Sequence, residues 1–244
     1  MEHEQYTTIG KLRIHSITAG AGKAVVFLHG WSLQAESAAT MRDMLEHSCR
    51  ITTPTLLGFG KSSALPKEFS LEEYGSVLAA WLARDATKPV TLVGHSFGGA
   101  IALIVASRVP KLVRRLVLVD SIGFPFERNA KAWARAWAKQ RDYNVSLSFR
   151  RTLGVLARPF TENVLHRSTD VYRIARLCMV LDVRPFLPGV RCPVDIVWGD
   201  QDDFIPRSVG ERLHALIPQS TFHTVPGSHD WPLLEPEKLL PFIE

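Results

Sequence analysis

No apolar run in this sequence approaches the roughly 18 residues that a membrane span requires. The N-terminus, MEHEQYTTIG, is acidic and polar where a secretory signal would be basic and then apolar. Cysteine is scarce: Cys49, Cys178 and Cys192 are odd in number and have no metal-ligand spacing. This excludes a disulfide framework and points to a reduced, cytoplasmic protein in which each cysteine serves as a small buried hydrophobe. Internal repeats, low-complexity tracts and flexible linkers are also lacking, as is a phosphate-binding glycine loop followed by Lys-Ser/Thr. Neither a metal nor a cofactor is expected. Nucleic acid is a poor partner for a chain with no recognised binding motif.

The 244 residues suffice for one large α/β domain with an insertion, and 46% hydrophobic with 22% charged residues is ordinary for a globular enzyme. The net charge of +5 is unevenly placed. Residues 122–185 hold 12 Lys/Arg against 5 Asp/Glu, a balance of +7, while the remainder holds 17 against 19, a balance of −2.

The most informative stretch is Val90–Ser107, VTLVGHSFGGAIALIVAS. Val90–Val93 reads as a buried strand and Ala100–Ser107 as a buried helix, with Gly94-His95-Ser96-Phe97-Gly98 between them. A G-x-S-x-G sequence at a strand-to-helix turn holds its serine in a strained conformation with the hydroxyl projecting outward. Gly94 and Gly98 let strand and helix approach closely. Ser96 is therefore the candidate nucleophile.

The rest of the chain alternates strands and helices. Strands are expected at Lys11–Thr18, Ala24–Leu28, Arg50–Thr55, Arg115–Val119, Pro193–Trp198 and Thr221–Val225. Helices are expected at Glu36–His47, Arg207–Leu216 and Glu237–Ile243, with another started by a capping box at Ser70 and Glu73. Such alternation implies a mostly parallel sheet covered on both faces, with ligands beyond the carboxyl ends of its strands. His29, Ser96, Asp120, Asp202 and His229 all follow expected strands and so share one rim.

A serine hydroxyl needs a base, and the base needs an orienting acid. His229, after the last strand, is the best candidate base. Asp202 is the candidate acid, with Asp200, Asp203 and Asp120 as nearby alternatives. A tetrahedral oxyanion needs two backbone N–H donors, assigned to Phe97 and Trp31. His29 and His95 read as structural.

His29-Gly30-Trp31, Gly58-Phe59-Gly60-Lys61-Ser62, Gly94–Gly99, Gly199-x-x-Asp202-x-x-x-Pro206 and Gly227-Ser228-His229 together resemble the α/β-hydrolase superfamily over almost the whole chain. The resemblance implies Ser96 as nucleophile, Asp202 as acid and His229 as base, and its Gly199–Asp202–Pro206 spacing selects Asp202 over the neighbouring aspartates. It implies an oxyanion hole at the Trp31 and Phe97 amides. Thr55 departs from the pattern, standing where relatives often have Asp. Serine as nucleophile argues against the epoxide-hydrolase and dehalogenase branches, which use Asp.

The resemblance also implies an α/β-hydrolase core at 1–121 and 186–244, with a helical cap at 122–185. Trp133 and Trp137 share a helix face there, and with Phe160 and Met179 they are candidates to line an apolar acyl pocket. The cap is rich in basic residues, among them Arg128, Lys131, Arg135, Lys139, Arg150 and Arg151. They form either a solvated face or a docking surface for an acidic partner. A basic cap over a Ser-His-Asp site with His-Gly-Trp is similar to the pimeloyl-carrier-protein methyl esterases of biotin synthesis, which implies docking of an acidic acyl carrier protein. The expected activity is serine hydrolysis of a small acyl ester through an acyl-enzyme. Thioesterase, C–C bond hydrolase and a non-turning-over ligand receptor are the alternatives.

Overall fold

The computed structural model describes residues 2–125 and 130–243. Its centre is a sheet of β1 (His3–Ile9), β2 (Leu12–Ala19), β3 (Lys23–Leu28), β4 (Cys49–Pro54), β5 (Val90–His95), β6 (Val113–Val119), β7 (Val194–Gly199) and β8 (Ser220–Val225). The strand order is β1-β2-β4-β3-β5-β6-β7-β8. The strands from β3 onward pair in parallel, whereas β2 runs antiparallel to both β1 and β4. Strand β1 has no counterpart in the sequence reading. Its residues HEQYTTI carry no apolar alternation, and β1 gains its place by pairing with β2 from Leu12 to Thr18 at the sheet's edge.

Parallel neighbours require crossovers, and helices supply them. They are α1 (Ala39–Leu45), α2 (Leu71–Asp85), α3 (Phe97–Arg108) and, after β7, α7 (Arg207–Leu216). Between β6 and β7 the crossover is long: α4 (Ala130–Arg151), a π-helical segment at Thr152–Ala157, α5 (Arg158–His166) and α6 (Ser168–Val180). The backbone of α4 leaves helical geometry at Ser148. The chain closes with α8 (Trp231–Leu234) and α9 (Leu240–Ile243). The expected final helix is thus a 3₁₀ turn at Pro236–Leu239 followed by one short α-helical turn.

Successive strand residues face opposite sides of the sheet, and here both sides are buried. Leu92, Leu116, Leu118 and Ile196 pack with α2 and α3, while Val93, Val117, Val119 and Val197 pack with Met41, Leu45 and Trp231. Helix α3 is buried from Phe97 to Ala106, which explains why it is apolar all round. The capping box at α2 forms: Glu73 N donates to Ser70 Oγ at 3.2 Å and Ser70 N donates to Glu73 Oε2 at 2.8 Å. No helix among the described residues is long and apolar enough to cross a membrane.

Candidate active site

Ser96 sits where β5 gives way to α3, at φ 56° and ψ −119°. That left-handed backbone costs a non-glycine residue about 1–3 kcal/mol. The turn is tight enough that a Cβ at Gly98 would fall on the Leu28 carbonyl oxygen, and one at Gly94 would lie 2.5 Å from the Gly98 oxygen. The Ser96 backbone is held by the Val119 carbonyl and the Gly99 and Ile122 N–H groups, while its Oγ makes no hydrogen bond among the described residues; such contacts commonly tighten only when substrate binds.

The loops after β7 and β8 bring Asp202 and His229 together. His229 Nδ1 lies 2.8 Å from Asp202 Oδ2, with both side chains at least nine-tenths buried. Asp202 is fixed in turn, because its Oδ1 accepts the Phe204 N–H at 2.6 Å and the Ile205 N–H at 3.0 Å. Burial alone would lower the His229 pKa. The charge and hydrogen bond of Asp202 outweigh it, with Asp230 and Asp120 adding, and raise it to about 9. With Nδ1 engaged by Asp202, Nε2 is the ring nitrogen left for a proton from Ser96.

The other three aspartates have separate partners. Asp200 Oδ1 accepts the Gly227 N–H at 3.0 Å, and Asp203 Oδ2 lies 2.8 Å from Lys139 Nζ. Asp120, fully buried at φ 44°, accepts the Gly199 N–H at 2.8 Å and the Trp231 Nε1–H at 2.7 Å. It thereby ties the start of the Asp202 loop to the helix that follows His229. Burial pushes the Asp120 pKa up, as does the charge of Asp202. His95, Asp120 and His229 form a cluster spaced for a metal ion. Their atoms are nonetheless largely committed to protein partners, since His95 Nε2 donates to the His229 carbonyl at 2.8 Å; His95 Nδ1 is buried without a hydrogen-bond partner among the described residues.

The His29-Gly30-Trp31 loop leaves the end of β3 and runs against the serine: a Cβ at Gly30 would lie 3.3 Å from Ser96 Cβ. His29 holds the loop from beneath, its Nε2 accepting the Leu56 N–H at 2.9 Å and its Nδ1 bonding the Gly30 carbonyl at 2.8 Å. Burial lowers the pKa of His29 to about 4, so it is neutral. Phe97 opens α3, and the first N–H groups of a helix have no acceptor within it. Neither the Trp31 nor the Phe97 amide has a protein acceptor among the described residues. Thr55 organises the adjacent loop, with its Oγ1 accepting the Ala35 N–H and its carbonyl accepting Ser62 Oγ–H.

Ser96 and His229 open into a cavity of about 950 Å³, within the range usual for small-molecule sites. All four aromatic and sulfur candidates from the sequence line it: Trp133, Trp137, Phe160 and Met179. The rings meet edge to face, with Trp31–Phe160 at 5.7 Å, Phe160–Trp137 at 5.4 Å and Trp137–Phe204 at 5.1 Å. Phe204 stacks on His229 at 5.4 Å. Cys178 also lines the cavity, but burial pushes its thiol pKa up and leaves it a poor nucleophile.

The model of the alpha/beta hydrolase family matches residues 25–241. The chain belongs to the alpha/beta hydrolase family. It is 28% identical to a putative non-heme haloperoxidase of Mycobacterium phage D29, over 97% of this chain and 92% of that one. It is 27% identical to the pimeloyl-[acyl-carrier protein] methyl ester esterase of Chromobacterium violaceum, over 91% of this chain and 92% of that one. The crystal structure of a bromoperoxidase from Bacillus anthracis superposes with a TM-score of 0.79 at 22% identity, covering 98% of this chain and 99% of that one. That likeness establishes the fold alone.

In this alpha/beta hydrolase the insertion helices bond directly to the loops around the cavity, which the sequence reading missed. Gln140 and Asn144, buried one turn apart on α4, hold the His229 loop. Gln140 Oε1 accepts the His229 N–H at 3.1 Å, and Asp230 Oδ2 accepts from Gln140 Nε2 at 2.7 Å and Asn144 Nδ2 at 2.8 Å. Trp31 Nε1 donates to the Val171 carbonyl at 2.8 Å, and Asn163 Nδ2 to the Ser32 carbonyl at 3.1 Å. Polar residues within a basic helix read as solvent-facing, and only the folded packing reveals their partners. Of the basic positions singled out, Arg128 lies outside the described residues. Lys131, Arg135 and Arg150 are exposed, Lys139 pairs with Asp203, and Arg151 Nη1 donates to the Leu234 carbonyl at 2.9 Å.

Proposed function

We propose that this hydrolase cleaves a carboxylic ester through an acyl-enzyme, with Ser96 as nucleophile, His229 as base and Asp202 as its orienting acid. Residues 122–185 act as a cap over a core made of 1–121 and 186–244. The observation that carries the reading is the 2.8 Å His229–Asp202 contact at the cavity that Ser96 opens into. Ser96 Oγ attacks the ester carbonyl while His229 Nε2 takes its proton, and the oxyanion is held by the Trp31 and Phe97 amides. His229 returns the proton to the leaving alcohol. It then activates water to release the acid and restore Ser96.

Hydrolysis of p-nitrophenyl esters of increasing acyl length, by wild type and an equally folded Ser96→Ala protein, tests this reading. Turnover confined to wild type supports it, and the chain-length optimum sizes the cavity. Equal turnover in both proteins overturns the Ser96 mechanism. Absence of ester turnover, with thioesters or C–C-cleavable ketones hydrolysed instead, moves the same triad to those substrates. Binding without any turnover indicates a receptor.

A narrower form of the reading places the acyl group, as a methyl ester, on an acidic acyl carrier protein docked at Lys131, Arg135, Lys139, Arg150 and Arg151. Its supports are the +7 balance of residues 122–185 and the methyl ester esterase name of the Chromobacterium violaceum relative. Charge reversal at Arg135 and Arg150 should then raise KM for the carrier-bound ester and leave that for a free ester unchanged.

A further inference from the structure

Among the described residues, nine of the eleven large apolar side chains left exposed fall between Trp137 and Val180, within the basic insertion. Two helix stripes have the same makeup, an aromatic, an arginine and a valine at successive intervals of four. On α6 they are Tyr172, Arg176 and Val180, with the tyrosine and valine 63% and 68% exposed. On α4 they are Trp137, Arg141 and Val145, with Trp137 and Val145 each 42% exposed. Residues four apart lie along one helix face, and the non-helical Ser148 comes after the α4 stripe.

Each stripe contributes residues to the same cavity. Trp137, Arg141 and Arg176 line the cavity that contains Ser96 and are also exposed, and every exposed residue lining that cavity belongs to the insertion. Exposing apolar side chains and arginines on helices that line the cavity is wasteful in water. It matches the boundary of an anionic bilayer, where apolar groups enter the acyl region while guanidinium groups meet phosphate.

We propose that this face of the insertion seats on an anionic lipid surface, so that an apolar ester passes from lipid into the cavity without crossing bulk water. Tyr172, Val180 and Val145 enter the headgroup region, and Arg176 pairs with lipid phosphate, joined by Arg141 when it exchanges its exposed Asp142 partner at 2.8 Å for a phosphate. The ester route rests on the hydrolase reading above. The docking itself does not, because partition onto lipid is measured without turnover.

The test is co-sedimentation of the full chain with phosphatidylcholine vesicles and with vesicles that also contain phosphatidylglycerol. Partition should favour the anionic vesicles and fall as salt is added. Tyr172→Ser combined with Val180→Ser should reduce it at least tenfold, and Arg176→Gln about fivefold, with thermal melts unchanged. The Ser96→Ala protein should sediment like wild type, which keeps a failed hydrolase reading separate from a failed docking reading. Equal partition onto both vesicle types overturns the proposal, as does a double variant that partitions like wild type. Saturable binding to an acyl carrier protein with no vesicle partition also overturns it, assigning the face to an acidic protein.

Discussion

The carboxyl rim of the sheet and the insertion above it both contribute to the cavity, but they are built by different means. On the rim, backbone turns at strand ends set each functional group, so the geometry is encoded in a few local residues. Ser96 at positive φ between two glycines is one example, and Asp202 with two backbone N–H groups on one oxygen is another. In the insertion, position depends on side chains meeting across long sequence distances. Asn144 reaches Asp230 and Asn163 reaches Ser32, separations of 86 and 131 residues. Local encoding withstands divergence outside the turn; long-range encoding has to be kept pair by pair.

Substitution at the rim should have the largest effect. Ser96→Ala should lower kcat for the preferred ester at least a thousandfold, measured on protein whose melting temperature matches wild type. Asp202→Asn should lower kcat by about three to four orders of magnitude by disturbing the histidine tautomer. It also carries a pH signature. Serine attack needs neutral His229, and its pKa is raised to about 9, so kcat/KM should rise with pH through a limb near 9. Removing the Asp202 charge removes the main influence raising that pKa, so the limb should move to lower pH. An unmoved limb would detach Asp202 from the histidine it faces.

In the insertion the effects should be smaller and of a different kind. Gln140→Ala with Asn144→Ala leaves the His229 N–H and the Asp230 carboxylate without their partners across the interface. Leaving such groups unsatisfied costs about 1–3 kcal/mol, and kcat should fall on the order of tenfold with KM nearly constant. A loss of the same size in KM alone would mean that α4 contacts substrate rather than positioning the histidine loop. Trp137→Ala should have the mildest effect: a longer optimal acyl chain on the p-nitrophenyl ester series, with less than about tenfold change at the old optimum. An optimum that stays put would remove Trp137 from the acyl pocket.

The same contrast explains what could be read in advance. The sheet core, the elbow and the capping box at Ser70 each depend on short-range signals: apolar runs, glycines at fixed offsets, a polar residue three positions from its partner. Asp202 was singled out from its neighbouring aspartates only by the family resemblance, because its contact with His229 spans 27 residues. Strand β1 escaped because polar residues on a half-exposed edge leave no hydropathy pattern. Arg42 looks like a surface residue in the sequence, yet it is 2% exposed, donating to the Ala35 carbonyl and to Thr53 Oγ1. Gln140 and Asn144 were invisible for the same reason. Burial of a polar side chain becomes legible only when its partner's position is known.

The hydrogen bonds between α4 and the His229 loop and between α5, α6 and the Trp31–Ser32 loop also bear on modularity. An insertion of this kind invites transplantation, as a cassette that could be exchanged between related enzymes to change their substrate range. Here the cassette carries part of the machinery's mounting. A chimera that received a foreign insertion without equivalents of Gln140, Asn144 and Asn163 would keep every rim residue and still lose the register between them. In this molecule specificity and reactivity are inherited together.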